Sequence, residues 1–214
     1  MYVSAGVVEM TTELGSWIAP PQRALWIPAG QWHEHVFHGP SRSHTVGFEP
    51  AKAPLSTTGP AVLVVGSLLR ELIVAYADGQ VDGTEERRLC GVLVDQLRRA
   101  RQGSLHVPLS HNPVLAEACA IVLADLTASW SIATLGHQVG ASARTLTRLF
   151  RAELTMSYPQ WRTQARLAQA VRELAEGHSV THVAASCGWS SPSAFIDAYR
   201  RNLGHTPGRA LSST

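Results

Sequence analysis

The last eighty residues contain one helical unit twice over, and that duplication constrains the chain more than any other feature. Ile132, Leu135, Val139, Gly140 and Ser142 recur 48 positions later as Val180, Val183, Cys187, Gly188 and Ser190. Past the turn the offset becomes 49, pairing Leu146 with Phe195, Phe150 with Tyr199, Arg151 with Arg200 and Leu154 with Leu203. Each copy reads as a short helix, a glycine turn, a serine N-cap (Ser142, Ser190) and a second helix with apolar residues at i and i+4. That is the pattern of a helix-turn-helix. Gly140 and Gly188 stand where the first helix must end in a left-handed residue, which glycine adopts without a Cβ penalty.

The expected units span about residues 131–152 and 179–202, joined by a helix over 157–176. Ser157 can cap that helix, Pro159 falls in its first turn where a missing N–H costs little, and Gly177 ends it. Trp161, Ala165, Leu167, Ala168, Val171 and Leu174 give it apolar faces toward both units. Eighteen residues from Pro159 to Glu176 extend about 27 Å, against about 34 Å for one turn of B-DNA. The spacing therefore suits two recognition helices entering successive major grooves on one side of a duplex.

Charge follows the same division. Residues 1–127 hold nine Lys+Arg against twelve Asp+Glu, whereas residues 128–214 hold nine against four. A basic C-terminal part points to a polyanion. In the first unit Arg144, Thr147, Arg148 and Arg151 share the face opposite Leu146, Leu149 and Phe150, a stripe able to meet phosphates and guanine edges. A solvated arginine face is the alternative for such a stripe standing alone. In the second unit Ser190, Ser191, Ser193, Ile196 and Asp197 replace the arginines, with Arg200 and Arg201 only at the end. Hydroxyls can bond phosphates or bases and Ile196 can touch a thymine methyl, while Asp197 repels phosphate.

These residues resemble the two-unit DNA-binding domain of the AraC/XylS family of transcriptional regulators. The likeness covers about residues 110–211 and is densest in SVTHVAASCGWSSPSAFIDAYRRNLGHTPGR (179–209), with RTLTRLF (144–150) similar to the family's first unit. The resemblance implies base contacts from Arg144, Thr147 and Arg148 and from Ser193, Ile196 and Asp197. It implies backbone contacts from the turn serines (Ser142, Ser190, Ser191) and from Arg151 and Arg200. Two positions depart from the family: Thr155 stands where a glycine is usual, as at Gly204, and Asp197 where a basic or neutral residue is usual. A strained exit from the first unit and altered base reading by the second are expected.

Residues 1–50 read as β structure, with apolar runs Tyr2–Val8, Ala24–Ile27 and Thr45–Phe48 broken by glycine and proline. Trp26 to His33 resembles the second cupin motif, Pro-x-Gly-x-x-His, at Pro28, Gly30 and His33. This part is expected to be a cupin-like sensor remnant. His33 and His35 share a strand face near His38 and His44, either as metal ligands or as ordinary polar strand residues; no metal or other cofactor is assigned. Residues 51–107 read as a linker with two helices, 60–77 and 84–102, the second capped by Thr84. Their apolar faces suit either pairing in a dimer or packing on the β part. Residues 108–214 make the DNA-binding domain.

The expected fold is thus α+β, a short N-terminal β part followed by an all-α double helix-turn-helix domain. The expected function is a sequence-specific DNA-binding regulator rather than an enzyme. Its partners would be double-stranded DNA and, as the resemblance implies, RNA polymerase, a small-molecule effector and a second copy of the chain. A metal-dependent cupin-type enzyme and a helical protein-binding adaptor are the rival readings. The best candidate for a membrane span, Ala61 to Leu69, is nine residues long and stops at Arg70, too short to cross a membrane. No secretory leader is visible, and three scattered cysteines form no disulfide framework, so a cytoplasmic location is expected.

Overall fold

The structure is a computed structural model that describes residues 1–79, 83–103 and 105–208. It is α+β. Six antiparallel strands come first in space: β1 (Tyr2–Thr12), β2 (Gly15–Ala19), β3 (Arg23–Trp26), β4 (Glu34–His44), β5 (Ala61–Val64) and β6 (His106–Pro108). Their order is β5-β3-β1-β2-β6, and β4 pairs along the other side of β1 from Tyr2↔His44 to Thr11↔Glu34. The helices are α1 (Ser67–Ala77), α2 (Gly83–Arg99), α3 (Pro113–Ala124), α4 (Ile132–Gln138), α5 (Ala143–Leu154), α6 (Tyr158–Ala175), α7 (Val180–Ser186) and α8 (Pro192–Leu203).

The middle of the chain departs from expectation. Residues 61–64, read as the start of a helix, form β5, paired with β3 from Arg23↔Val64 to Trp26↔Ala61; only Ser67–Ala77 is helical. A run of Ala-Val-Leu-Val fits either period, and burial on both faces favours the strand. Thr84 lies inside α2, which starts at Gly83, so it is not an N-cap. That helix also stops at Arg99, and Gln102 instead bridges to Leu63. Thr45–Phe48 is not a strand; Val46 and Phe48 pack loosely under α1 and α2. The sheet therefore draws β5 and β6 from the segment read as linker and two helices, and crosses the boundaries drawn at 50/51 and 107/108.

The sheet and the helical part share a core. Val7, Ile18, Leu105 and Val107 belong to the same buried cluster as Leu115, Phe150, Trp161, Val183, Phe195 and Tyr199. Trp161 is completely buried and donates its indole N–H to the Pro108 carbonyl at 3.2 Å. A ring of about 200 Å² taken out of water contributes about 5 kcal/mol at about 25 cal/mol per Å². Phe150 packs tilted against it, ring centres 5.8 Å apart, and Tyr158 packs tilted against Phe150 at 5.4 Å. These contacts bind the first unit to the end of the sheet.

Polar ties reinforce the junction. Arg172 on α6 reaches Glu9 on β1, and Arg23 on β3, itself buried, donates to the Leu203 carbonyl at the end of α8 at 2.6 Å. Each tie crosses more than 160 residues of chain.

A candidate nucleic-acid interface

In the first unit Ser131 forms a capping box with Thr134, and α4 ends at the glycine turn. Gly140 has φ +64, and its counterpart Gly188 has φ +75, the left-handed conformation expected of both. The turns close alike: Ala141 N–H donates to Gly136 O and Trp189 N–H donates to Ala184 O, each at 2.8 Å. A side chain at Gly136 would lie 2.4 Å from the Ala141 carbonyl, so the first turn needs that glycine, which the repeat pattern alone did not reveal.

Ser142 caps α5, its hydroxyl accepting from Thr145 N–H at 3.0 Å. The cap of the second unit is Ser191, which accepts from Ala194 N–H, and not Ser190 as expected. The extra residue of the second unit therefore falls between Gly188 and the cap. Ser190 stands exposed in the lengthened turn.

Burial sorts the two faces of α5. Leu146, Leu149, Phe150 and Leu154 are buried, while Arg144, Thr147, Arg148 and Arg151 are exposed and, with Thr145, ring a shallow open hollow. None of the three arginines has an ion-pair partner among the described residues. Thr147 donates its hydroxyl to the Ala143 carbonyl at 2.8 Å, which leaves its oxygen as an acceptor for a base amino group.

On α8, Phe195, Ala198, Tyr199 and Leu203 are buried. Ser193, Asp197, Arg200 and Arg201 are exposed and Ile196 is half-buried. Asp197 pairs with neither arginine; its backbone carbonyl accepts from Arg201 Nε at 3.3 Å. The second surface is thus polar, with its cations confined to the last turn.

Three arginines counted in the basic excess have other duties. Arg166 donates to the Leu126 carbonyl at 3.1 Å and lies 5.5 Å over the Trp189 ring, while Arg162 holds the Ala128 carbonyl. Both clamp the loop before α4 to α6. Burial lowers the Arg166 pKa, with Arg162 adding to the effect. Arg172 is committed to Glu9. Their positions beside Trp161, Ala165 and Val171 on α6, bordering the apolar stripe, were the available signal. The last residue of the densest motif segment, Arg209, lies outside the described residues. Arg144, Arg148, Arg151, Arg200 and Arg201 remain as exposed cations of the two units among the described residues.

The helix-turn-helix domain family matches residues 135–213. The HTH-type transcriptional regulator NimR of Escherichia coli is 34% identical over 213 residues, covering 97% of this chain and 77% of that protein. This chain belongs to the AraC/XylS family of transcriptional regulators. A putative AraC-like transcription regulator of Streptomyces lividans is 34% identical over 98 residues, 45% of this chain and 32% of its own length. The DNA-binding domain of AdpA, a global transcriptional factor solved in complex with a target DNA, is similar at 35% identity and a TM-score of 0.44, over 46% of this chain and 90% of that one. These relatives are regulators by name, not enzymes.

Family membership accounts for the double unit; the histidines of the sheet behave individually. His33 and His35 sit with ring centres 4.9 Å apart, whereas His38 bonds Glu9 and Glu176, and His44 lies by Ser4 and Asp78. The four are not gathered, and no three metal-ligating side chains group together among the described residues. No helix among the described residues is long and apolar enough to cross a membrane.

Proposed function

We propose that this AraC/XylS-family chain binds duplex DNA sequence-specifically, with α5 and α8 entering successive major grooves. Arg144, Thr147 and Arg148, with Ser193, Ile196 and Asp197, face base edges in this reading. Arg151, Arg200 and the turn residues Ser142, Ser190 and Ser191 face phosphates. The observation that carries it is the uncompensated stripe on α5: three exposed arginines on one face of a capped helix that follows a tight glycine turn. Cations left without protein partners gain most from a polyanion, since each phosphate contact releases condensed counterions.

The α5 stripe is dense and cationic, so it supplies most of the affinity; the α8 face, polar and carrying Asp197, supplies restriction. The sheet that shares its core with both units is the proposed seat of modulation by a small molecule. RNA polymerase and a second copy of the chain are the proposed protein partners, and the cytoplasm is the proposed place of action. Exposed Leu68 on α1 and Val92 on α2 support pairing through those helices.

The test is binding to duplex DNA across a salt series of about 50 to 200 mM. The expected log–log slope is about −2, in keeping with about 0.9 for each phosphate contacted by Arg151 and Arg200. A slope near zero, or no binding at the lowest salt, overturns the reading. Sequencing of genomic fragments retained by the protein then reads out half-site number and spacing.

A further inference from the structure

Between the sheet and the end of the second unit lies an open cleft of about 600 Å³. This volume falls within the range of about 300–1,000 Å³ usual for small-molecule sites. Three arginines from three separate parts of the chain line it: Arg23 from β3, Arg101 from the segment after α2 and Arg201 from the last turn of α8. Apolar surface comes from the half-buried Pro21 and Val64, with Ile18, Val62 and Leu105 buried behind them. No acidic residue is among the described residues that line it.

Such an arrangement is electrostatically unsatisfied. Arg23 is buried and, among the described residues, bonds only carbonyls, Leu203 O at 2.6 Å and Gln22 O at 3.2 Å. Burial foremost lowers its pKa; Tyr199 opposes that and the nearby charge of Arg101 adds to it. Arg201 bonds only the Asp197 carbonyl, and Arg101 has no ion-pair partner among the described residues. Like charges converging from three elements, one of them desolvated, favour an anion in the space between them. The two exposed guanidiniums in its lining, Arg101 and Arg201, offer the planar donor forks that suit carboxylate and phosphate.

We propose that this cleft binds a small organic anion, its carboxylate or phosphate held by Arg101 and Arg201 and its apolar body against Pro21 and Val64. Because the last turn of α8 forms one wall, occupancy bears directly on the helix assigned to the second groove. That consequence rests on the DNA-binding reading, whereas the binding itself does not.

The test is calorimetric titration of the full chain, without DNA, by benzoate, phenyl phosphate and the neutral control benzamide. One anion per chain is expected to bind, with the tighter of benzoate and phenyl phosphate naming the group recognised. Loss of one charged contact in Arg101→Gln or Arg201→Gln should weaken that binding about tenfold. Arg148→Gln, on α5, should bind the anion as the unaltered chain does. Both cleft arginines are exposed, so each variant should keep its thermal midpoint, and a lysine at either position should restore part of the affinity. No binding of either anion, equal binding of benzamide, or indifference to both glutamine variants overturns the site. Anion binding in a chain that fails the DNA salt series would remove the regulatory reading and leave the site standing; the converse removes only the site.

Discussion

Glu9 on β1 accepts two hydrogen bonds from the guanidinium of Arg172 on α6, at 2.8 and 2.5 Å, in a pair with little solvent exposure. The Ser16 hydroxyl donates to the same carboxylate, and His38 Nε2 lies 3.1 Å from it. One carboxylate thereby joins three strands of the sheet to the helix that carries both helix-turn-helix units.

Burial by itself would raise the Glu9 pKa, but Arg172, Ser16 and His38 together outweigh it and hold the carboxyl at about 2, against an ordinary value of 4.5. A depressed carboxylate stabilises the folded chain at pH values above its unfolded pKa, and that contribution disappears as the pH falls from about 4.5 to 2. At about 1.4 kcal/mol per pH unit the contribution is about 3 kcal/mol at neutral pH. Urea unfolding should therefore show Glu9→Gln less stable than the unaltered chain by roughly that amount at pH 7. The two curves should converge below pH 3, and a constant gap across the whole range would contradict this account.

Thr155 closes α5 at φ +55, where the equivalent residue after α8 is Gly204 at φ +84. A β-branched residue in the left-handed region is strained. The strain is partly offset by the hydrogen bond that the Thr155 hydroxyl donates to the Leu154 carbonyl at 2.7 Å. Thr155→Gly should stabilise the chain by about 1 kcal/mol, a rise of about 2–4 °C in thermal midpoint. Thr155→Val, which keeps the branching and loses the hydroxyl, should lower it. Calorimetry of the two variants side by side decides the matter.

Arg148 and Arg151 share the exposed stripe of α5 but differ in their proposed targets. Arg148→Ala should cost about 1–3 kcal/mol on the selected site and relax preference at one base position. Arg151→Ala should weaken all sequences alike and reduce the salt slope by about 1. Anisotropy titrations on the selected site and on single-base variants, each at several salt concentrations, separate the two. Uniform loss from both would make Arg148 a phosphate contact.

Much of the helical part was legible because its signals are local. Gly140 and Gly188 announce the turns, and Leu146/Phe150 with Phe195/Tyr199 announce the buried faces, all within a few residues of one another. What escaped depends on distant partners. Ala61–Val64 is a strand because Arg23–Trp26 lies alongside, forty residues earlier in the chain, and no local period reports that. Arg162 and Arg166 read as surplus charge until the carbonyls of Leu126 and Ala128 appear beside them. The arginine stripe of the candidate interface was readable, whereas the capping role of Ser191 in place of Ser190 depended on where one inserted residue settled in the turn. The cleft arginines 23, 101 and 201 meet only through the tertiary fold.

Asp197 is the one acidic side chain on the exposed face of α8, and no described cation neutralises it. In a groove lined by phosphates it opposes binding wherever it finds no donor, and cytosine N4 is the donor it suits best. Asp197→Asn removes the charge and keeps the shape. Affinity for random duplex should rise by about 1 kcal/mol, or about fivefold at low salt, with the gain shrinking as salt screens the charge. Affinity for the selected site should rise less, so the ratio of specific to random binding falls. A fall in random-duplex affinity would instead give Asp197 a supporting role toward Arg200 or Arg201, since only the loss of a favourable arrangement of those cations could outweigh the removal of a repulsive charge.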